Sequence, residues 1–327
     1  MIIILSKLYS TRSHFCNCKK GLTAEKSGFI LVHDIDNRYH FVGGVLMVRL
    51  YADRLSIGYG ERFIVKDLSV HIPDKKITTI IGPNGCGKST LLKAMTRIIS
   101  PQVGAVILDG QDISKENTKL LAKKMAILPQ TPESTSGLTV GELVSYGRFP
   151  YQKGLGRLTK KDIDVIDWAL EVTGTADFKF RPVDALSGGQ RQRVWIAMAL
   201  AQETEIIFLD EPTTYLDLAH QLEVLELLEK LNAEQGRTIV MVLHDLNQAA
   251  RFAHYIIALK DGQIVKAGSN EEVITHDVLK QVFQIDAVIG RDPRTNKPMC
   301  ITYHLVKGDS HHEKTIASPY AVAGASH

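Results

Sequence analysis

The fold of this chain is decided by the stretch Gly82-Pro83-Asn84-Gly85-Cys86-Gly87-Lys88-Ser89-Thr90. The stretch has the form G-x-x-x-x-G-K-S. An apolar run at 77–81 precedes it, and a run of good helix formers at 91–95 follows it. A strand, a glycine-rich turn and a helix in this order are the context that a phosphate-binding loop requires.

The residue types of this phosphate loop (residues 82–90) suit a polyphosphate ligand. Glycines let successive backbone N–H groups point inward around the phosphates, and the following helix directs its positive end to the same place. Lys88 adds a positive charge for the outer phosphates, and Ser89 offers a hydroxyl to a magnesium ion. The alternative is a glycine-rich turn that holds a lysine by coincidence, and the motifs described below argue against it.

Length and composition set broad limits on the function. The 327 residues suffice for one large domain or two modest ones. The hydrophobic content of 44% and the charged content of 23% are ordinary for a soluble globular protein. The net charge of +3 is too small to argue for a nucleic-acid partner. Because no apolar run approaches the ~18 residues of a membrane span, any membrane association is expected to be peripheral.

The four cysteines, Cys16, Cys18, Cys86 and Cys300, do not form a disulfide framework pattern. Cys86 lies inside the phosphate loop, where a thiol would be vulnerable outside a reducing compartment, and this favours a cytosolic location. Cys16 and Cys18 lie near His14, but the sequence shows no second ligand pair at zinc spacing.

The two ends of the chain differ from its middle. Residues 1–46 show neither helical nor strand periodicity over more than a few positions, and we interpret them as a disordered leader or a mis-assigned start. Met47 precedes a well-patterned strand and is a plausible natural start. Residues 306–327 are predicted to be disordered. The functional domain is therefore expected to span 47–305.

The pattern of this domain predicts an α/β fold. Antiparallel strands are expected from 50 to 73, followed by the strand 77–81 and a helix that ends near Pro101. Residues 131–185 are interpreted as an inserted helical subdomain, with Thr139 and Thr159 as N-caps. Further strands and one long helix are predicted at 104–108, 126–129, 205–210, 218–235 (the helix), 239–243, 253–259 and 263–267. The fold class is thus a mainly parallel sheet core with an N-terminal antiparallel β-subdomain and an inserted α-helical subdomain.

Polar side chains follow several apolar strands at the points where these strands end. They are Gln130, Asp210, Glu211 and His244. The carboxyl ends of parallel strands meet at one edge of a sheet, where ligands bind. A carboxylate at the position of Asp210 can hold magnesium, and the next one, Glu211, can orient or deprotonate an attacking water. Taken singly, each residue has an ordinary structural alternative: a solvated acidic turn, a structural histidine or a polar glutamine.

A second anion site is predicted at Leu186-Ser187-Gly188-Gly189-Gln190. Ser187 caps a helix that runs to about Ala201, and the two glycines expose N–H groups at its positive end. One nucleotide does not need two separate phosphate sites in one chain, whereas two nucleotides shared by two chains do. This pattern predicts a homodimer in which each nucleotide lies between the phosphate loop of one subunit and this segment of the other.

Over roughly residues 48–300 the sequence resembles the nucleotide-binding subunit of an ATP-binding-cassette (ABC) transporter. Residues 82–90 match the Walker A motif, 206–210 the Walker B motif, and 186–190 the signature. Tyr215-Leu216-Asp217 match the D-loop. Gln130 matches the Q-loop, Glu211 the catalytic glutamate and His244 the switch histidine.

This resemblance implies roles for individual residues. Catalysis falls to Glu211, His244 and Gln130. Magnesium is expected at Ser89, Gln130 and Asp210. ATP is expected to contact Tyr59, Gly82, Pro83, Asn84, Gly85, Cys86, Gly87, Lys88, Ser89, Thr90, Ser187, Gly188, Gly189, Gln190 and Asp217. Tyr59 falls where the family stacks an aromatic ring on adenine, and the alternative is an ordinary tyrosine at the end of a strand.

Residues 138–150 and 213–221 resemble ATPase subunits of importers for ferric siderophores, haem and cobalamin. The resemblance implies import of ferric siderophores, with haem or cobalamin as alternative cargo. It also implies two integral-membrane permease subunits, an extracytoplasmic solute-binding protein and a peripheral position on the cytoplasmic face of the membrane. One departure is Asp74-Lys75-Lys76, which stands where the family usually has a glycine turn.

Two functions of other classes fit the sequence less well. A soluble cassette ATPase acting in translation or DNA repair usually carries two fused cassettes or a long coiled-coil insertion, whereas this chain has one signature and no heptad run. A nucleotide-gated interaction module without turnover is disfavoured because Glu211, His244 and Gln130 are all present.

Overall fold

The computed structural model describes residues 30–33, 39–42, 48–60, 62–130, 137–152 and 157–306. The chain forms two compact units, residues 1–47 and residues 48–327. In the first unit, strand β1 (Ile30–His33) pairs antiparallel with strand β2 (Tyr39–Val42). The sequence pattern did not indicate this hairpin. The rest of the predicted leader and residues 307–327 of the predicted tail lie outside the described residues.

The second unit contains the remaining α-helices and β-strands of the described chain, together with three short 3-10 helices at Tyr146–Tyr151, Ala176–Phe178 and Val183–Ala185. In chain order the α-helices and β-strands are β3 (Leu50–Tyr59), β4 (Arg62–Ile72), β5 (Ile77–Ile81), α1 (Lys88–Met95), β6 (Val103–Leu108), β7 (Gln111–Asp112), α2 (Thr118–Leu121), β8 (Met125–Leu128), α3 (Val140–Ser145), α4 (Lys160–Val172), α5 (Gly188–Ala201), β9 (Ile206–Leu209), α6 (Leu218–Gln235), β10 (Thr238–Val242), α7 (Leu246–Phe252), β11 (Tyr255–Lys260), β12 (Gln263–Gly268), α8 (Asn270–Val273), α9 (His276–Phe283), β13 (Ile285–Arg291) and β14 (Pro298–Leu305).

The central sheet has six strands in the order β12-β11-β5-β10-β9-β8. All neighbouring pairs from β11 to β8 are parallel, and β12 is antiparallel to β11. Strands β5, β9 and β10 are buried at every position, which explains their continuous apolar sequences. Four strands that precede predicted site residues, β5, β8, β9 and β10, therefore end at the same edge of one sheet.

A second sheet is antiparallel and has the order β4-β3-β6-β7. Buried residues alternate with exposed ones along β4, so one face of this sheet packs against the core. Its buried face and helix α1 share one hydrophobic cluster with residues of the central sheet such as Ile80 and Phe208. The two sheets confirm the predicted fold class of a mainly parallel core with an N-terminal antiparallel subdomain.

Helices α3, α4 and α5 lie between β8 and β9 in the chain and pack on one another. The predicted N-caps are present, because Thr139, Thr159 and Ser187 each form a capping box with the third helical residue. A buried arginine joins these helices. Arg148 is 1% exposed and donates to Asp162 Oδ1 at 2.8 Å, and to the Ala201 carbonyl and Glu203 Oε2 at 2.7 Å.

Two local departures from the expected pattern have clear causes. Helix α1 ends at Met95 instead of near Pro101, because the Thr96 hydroxyl bonds back to the Leu92 carbonyl and Arg97 takes a left-handed conformation (φ 61°). In the turn before β5, Lys75 occupies the left-handed region (φ 55°) that a glycine would fill without strain. Its N–H donates to Thr238 Oγ1 at 2.8 Å, which holds the turn against β10.

The C-terminal part adds elements that the sequence pattern did not predict, namely α7, α8, α9 and the hairpin of β13 and β14. These helices have eight residues or fewer, too short for a strong helical period. Among the described residues, no helix is long and apolar enough to cross a membrane.

Candidate functional site

A cleft of about 430 Å³ opens at the edge of the central sheet where β5, β8, β9 and β10 end. Its described lining residues are Ile64, Asn84, Gly85, Gly87, Lys88, Ser89, Thr90, Gln130, Glu211 and His244. The structure thus brings the predicted phosphate loop together with three predicted residues from other strand ends. Ile64, on β4, was not predicted, because nothing in the sequence of an edge strand indicates that it faces a ligand.

The phosphate loop folds tightly over the end of β5. Gly82 has φ 154°, and a Cβ at this position would lie 2.7 Å from Sγ of Cys86. Gly87 has φ 103° and is the N-cap of α1, so the first N–H groups of this eight-residue helix begin directly at the cleft. Side chains larger than hydrogen at these two positions would displace the loop.

Lys88 lies at the base of this loop with only 5% of its surface exposed. Its ammonium group donates to the carbonyl oxygens of Gly82 at 2.9 Å and of Pro83 at 3.0 Å. An ammonium group has three N–H donors, so these two bonds leave a donor for an acceptor in the cleft.

Ser89 and Asp210 are joined at the floor of the cleft. The hydroxyl of Ser89 donates to Oδ1 of Asp210 at 2.9 Å. The other oxygen, Oδ2, is buried and has no hydrogen-bond partner among the described residues. Burial raises the pKa of Asp210 above its ordinary value, although the hydrogen bond from Ser89 opposes this. A buried carboxylate oxygen without a partner is the group that a bound cation would satisfy.

The carboxylate of Glu211 is held by three side chains. Oε1 lies 2.7 Å from Nε2 of His244, and Oε2 accepts from Nε2 of Gln130 at 2.6 Å and from Oγ1 of Thr214 at 3.0 Å. Its backbone is left-handed (φ 55°), a conformation that is uncommon for a residue other than glycine. Thr214 was not predicted, and its position three residues after Glu211 was the only signal available in the sequence.

The signature segment (residues 186–190) is at the start of α5. The Ser187 hydroxyl accepts from the N–H of Gln190 at 3.3 Å, and Oε1 of Gln190 accepts from the N–H of Ser187 at 3.1 Å. Ser187 and Gly188 are exposed. None of the described residues that line the cleft belongs to this segment. Within one chain, the structure therefore does not bring the two predicted phosphate sites together.

Asp217 also lies outside the cleft, at the N-cap of α6. Its Oδ1 accepts from the N–H of His220 at 2.9 Å and lies 2.7 Å from the Nδ1 of the same residue. These hydrogen bonds lower the pKa of Asp217. The neighbouring Tyr215 is 91% exposed. Tyr59 ends β3, but its side chain is outside the described part of the chain, so its stacking on adenine stays a prediction.

The Cys86 thiol is buried, with 3% of the residue exposed, and burial raises its pKa. Thiolate chemistry is therefore suppressed at this position. This finding corrects the expectation that the thiol would be vulnerable, and it removes that argument for a reducing compartment.

Comparisons with known proteins agree with this geometry. The sequence model of the family described as ABC transporter matches residues 65–214. The iron(3+)-hydroxamate import ATP-binding protein FhuC of Bacillus subtilis (strain 168) is 66% identical over 263 residues, which cover 80% of this chain and 98% of that protein.

Two solved structures share the fold. One is described as an inward-facing metal-chelate type ABC transporter and gives a TM-score of 0.67 at 28% identity, covering 77% of this chain and 96% of that one. The other is the dimeric ATP-binding cassette MJ0796 with ADP and Pi. It gives a TM-score of 0.59 at 31% identity, covering 67% of this chain and 98% of that one. Given the family match and the identity to FhuC over nearly its whole length, the chain belongs to the ABC transporter family.

Proposed function

We propose that this chain is the ATP-binding and ATP-hydrolysing subunit of an importer of ferric siderophores, and that it acts as a homodimer on two membrane-embedded permease subunits. The observation that carries the proposal is the arrangement at the cleft. A phosphate loop faces a carboxylate, Glu211, that is held by Gln130, Thr214 and His244. A site for nucleotide binding alone would not need a carboxylate fixed by three partners.

The phosphate loop supplies the binding energy for ATP. The N–H groups at the start of α1 and the ammonium group of Lys88 face the cleft and are suited to the β- and γ-phosphates. Lys88 currently bonds to loop carbonyls, and these contacts hold its charge beside the position of the phosphates. Thr90 and Asn84 complete the polar lining.

The residues at the floor of the cleft fit Mg²⁺. This cation prefers oxygen ligands, and Ser89 and Asp210 offer a hydroxyl and a carboxylate with one buried oxygen free of protein partners. The amide oxygen of Gln130 lies at the same edge of the sheet. When bound, the ion neutralises negative charge on the β- and γ-phosphates.

Glu211 serves as the general base for the attacking water. His244 and Gln130 orient its carboxylate from two sides, and Thr214 fixes the same oxygen as Gln130. A positioned general base contributes about 10²–10⁴-fold to the rate. Glu211, His244 and Gln130 are therefore the residues to which we assign catalysis.

The signature segment completes the site of a second copy. It has a capped helix start with exposed Ser187 and Gly188, yet it lies outside the cleft of its own chain. Two chains that place these segments over each other's clefts enclose two ATP molecules. The MJ0796 cassette bound to ADP and Pi, a structure similar to this chain, is itself described as dimeric. Because ATP binds the closed dimer preferentially, ATP binding drives closure. Closure then moves the permease subunits.

The cargo class rests on the 66% identity to the iron(3+)-hydroxamate import protein. We assign ferric hydroxamate siderophores as cargo, delivered by an extracytoplasmic solute-binding protein. We assign the subunit itself to the cytoplasmic face of the membrane, where the permease would hold it.

The test is uptake of radiolabelled iron by a strain that lacks this gene and carries a plasmid copy. The wild-type chain should restore uptake of a ferric hydroxamate, and Glu211→Gln should not. Glu234→Gln, which changes an exposed carboxylate on α6, should behave as wild type. Restoration of haem or cobalamin uptake without ferric hydroxamate uptake would overturn the cargo, and failure to co-purify with any integral membrane protein would overturn the transport role.

A further inference from the structure

The first turn of α6 touches the signature segment of the same chain. A Cβ at Gly189 would lie 2.7 Å from Cγ of His220, so the ring of His220 packs directly on the backbone of this segment. The ring is held in place by Asp217, whose Oδ1 lies 2.7 Å from its Nδ1. A displacement of the signature segment is therefore passed to the start of α6.

The next residue in this turn, Gln221, makes two hydrogen bonds in opposite directions. Its Nε2 donates to the carbonyl of Leu216 at 2.9 Å, in the segment that follows Glu211. Its Oε1 accepts from Nε2 of Gln248 at 2.6 Å. Gln248 is only 8% exposed and Gln221 is half-buried, so the Gln248 side of this amide pair is largely shielded from water. A buried amide that loses its partner carries an uncompensated desolvation cost. This cost favours the paired arrangement of the two glutamines.

Gln248 belongs to α7, the helix that begins directly after His244. Its N–H donates at 2.7 Å to Oδ1 of the N-cap residue Asp245. The far end of α7 is fixed as well, because Asn270 donates to the carbonyls of Ala250 and Ala253. Because Asn270 fixes the C-terminal end of α7, a displacement of Gln248 acts on the N-terminal end of the helix, where His244 precedes the N-cap Asp245.

We infer that the Gln221–Gln248 amide pair couples the signature segment to His244, and thereby links the two ATP sites of the dimer. The inference rests on the proposed function. In that function, the signature segment of each chain forms part of one ATP site. Glu211 and His244 of the same chain belong to the other ATP site. A connection inside one chain is then a connection between the two sites. Gln221 and Gln248 are positioning residues, because they act on the reacting groups only through Leu216 and α7.

The inferred role of the amide pair predicts a kinetic change that loss of a purely structural hydrogen bond would not produce. If it transmits the state of one site to the other, its loss reduces the cooperativity of ATP hydrolysis. The affinity of the phosphate loop for ATP stays the same, since neither glutamine lines the cleft. The effects of the two substitutions also do not add, because either one breaks the same connection.

The first experiment compares the purified full-length chain with Gln221→Met, Gln248→Met and the double variant. Gln281→Met, at an exposed position of α9, is the matched control. Turnover should fall roughly threefold to tenfold in Gln248→Met, which loses the hydrogen bond to Gln221. It should fall at least as far in Gln221→Met, which also loses the bond to Leu216, and no further in the double variant than in Gln221→Met. The Hill coefficient should fall toward one while the Kd for ATP is unchanged. A wild-type Hill coefficient of one, an unchanged Hill coefficient in the variants, or multiplied losses in the double variant would overturn the inference.

The second experiment does not depend on turnover. Amide hydrogen exchange of the nucleotide-free chain should become faster across residues 244–250 in Gln221→Met, and across residues 213–218 in Gln248→Met. The exchange of both segments should be unaltered in Gln281→Met. If exchange does not change, the coupling is absent. If the variants exchange as expected but the wild-type chain does not hydrolyse ATP, the proposed function fails while the coupling between residues 213–218 and α7 stands.

Discussion

The carboxylate of Glu211 lies 2.7 Å from Nε2 of His244, across the ends of two neighbouring strands. Gln130, from the end of a third strand, donates to the other oxygen of the same carboxylate at 2.6 Å. The side chain is thus oriented before any nucleotide is bound. Because the fold already orients this carboxylate, we expect the rate of ATP hydrolysis to depend on the charge of Glu211 rather than on its bulk.

Glu211→Gln should therefore reduce ATP turnover about 10²–10⁴-fold, because the amide keeps the size of the side chain but cannot accept a proton from water. ATP affinity should change little, since the phosphate loop is intact. The measurement is phosphate release together with binding of ATP by calorimetry. Glu234→Gln is the matched control. Turnover within about twofold of wild type in Glu211→Gln would exclude Glu211 as the base.

Lys88→Ala should act on binding instead. The substitution removes the buried ammonium group that faces the cleft, and charge-assisted hydrogen bonds contribute about 1.5–3 kcal/mol. The Kd for ATP should rise about 10- to 100-fold. Calorimetric titration of the variant, with the exposed Lys115→Ala as control, tests this. An unchanged Kd would show that Lys88 serves only to brace the loop through Gly82 and Pro83.

Much of the site could be predicted from the sequence because its residues follow strong local signals. Glu211 and His244 each stand at the end of a buried apolar strand, and the parallel sheet brings such ends together. Ser187 was recognisable as a cap because a capping box is a local pattern. These features depend on neighbours within a few residues, and periodicity and capping chemistry are sufficient to find them.

The contacts that could not be predicted join residues far apart in the chain. Ile64 enters the cleft because β4 packs beside the phosphate loop, which no local pattern specifies. The β13–β14 hairpin has no strong alternation in its second strand, where most residues are exposed. The Gln221–Gln248 pair depends on how α6 and α7 pack, and glutamine has no preference that marks it as buried.

Asp210→Asn should stabilise the protein in the absence of magnesium. The wild-type carboxylate has a buried oxygen without a partner among the described residues, and a neutral amide is less costly to bury. In EDTA the Tm of the variant should exceed that of wild type by about 2–4 °C. With Mg²⁺ and ATP the order should reverse, because ligand binding stabilises only the chain that binds it. Asp177→Asn, at an exposed position, is the control. Equal gains from Mg²⁺ and ATP in both chains would exclude Asp210 from the metal site.

Stability in acid should depend on Asp162. Burial raises the pKa of this carboxyl, but hydrogen bonds from Thr159 and Arg148 outweigh it, so the pKa lies below its ordinary value. The carboxylate therefore stabilises the folded state above the unfolded pKa of about 3.9, and this contribution is lost as the pH falls through the lower folded pKa.

Asp162→Asn should accordingly cost about 3 kcal/mol of unfolding free energy near neutral pH, because Arg148 loses a buried partner. The difference from wild type should shrink as the pH falls below about 4. Urea unfolding at a series of pH values measures this, with the exposed Asp164→Asn of the same helix as control. A difference that is constant across the acid range would contradict the assigned role of the carboxylate charge.

Mixing two inactive chains tests whether the ATP site is shared between subunits. Lys88→Ala removes the loop function. Gly188→Asp places a carboxylate at the start of α5, where it suits the helix dipole but repels a phosphate. The exposed position of Gly188 leaves room for the side chain, so the fold should be retained. Each variant alone should be nearly inactive.

A mixed dimer of these two chains has one site with both defects and one site with neither. Because random pairing in a symmetric dimer makes half of the dimers mixed, a 1:1 mixture should recover up to about a quarter of wild-type turnover. Native mass spectrometry should show the mixed species. Mixed dimers that form without any recovery of activity would contradict an ATP site shared between subunits. Recovery, in contrast, requires that an intact loop of one subunit meets an intact signature segment of the other, since no single chain in the mixture carries both.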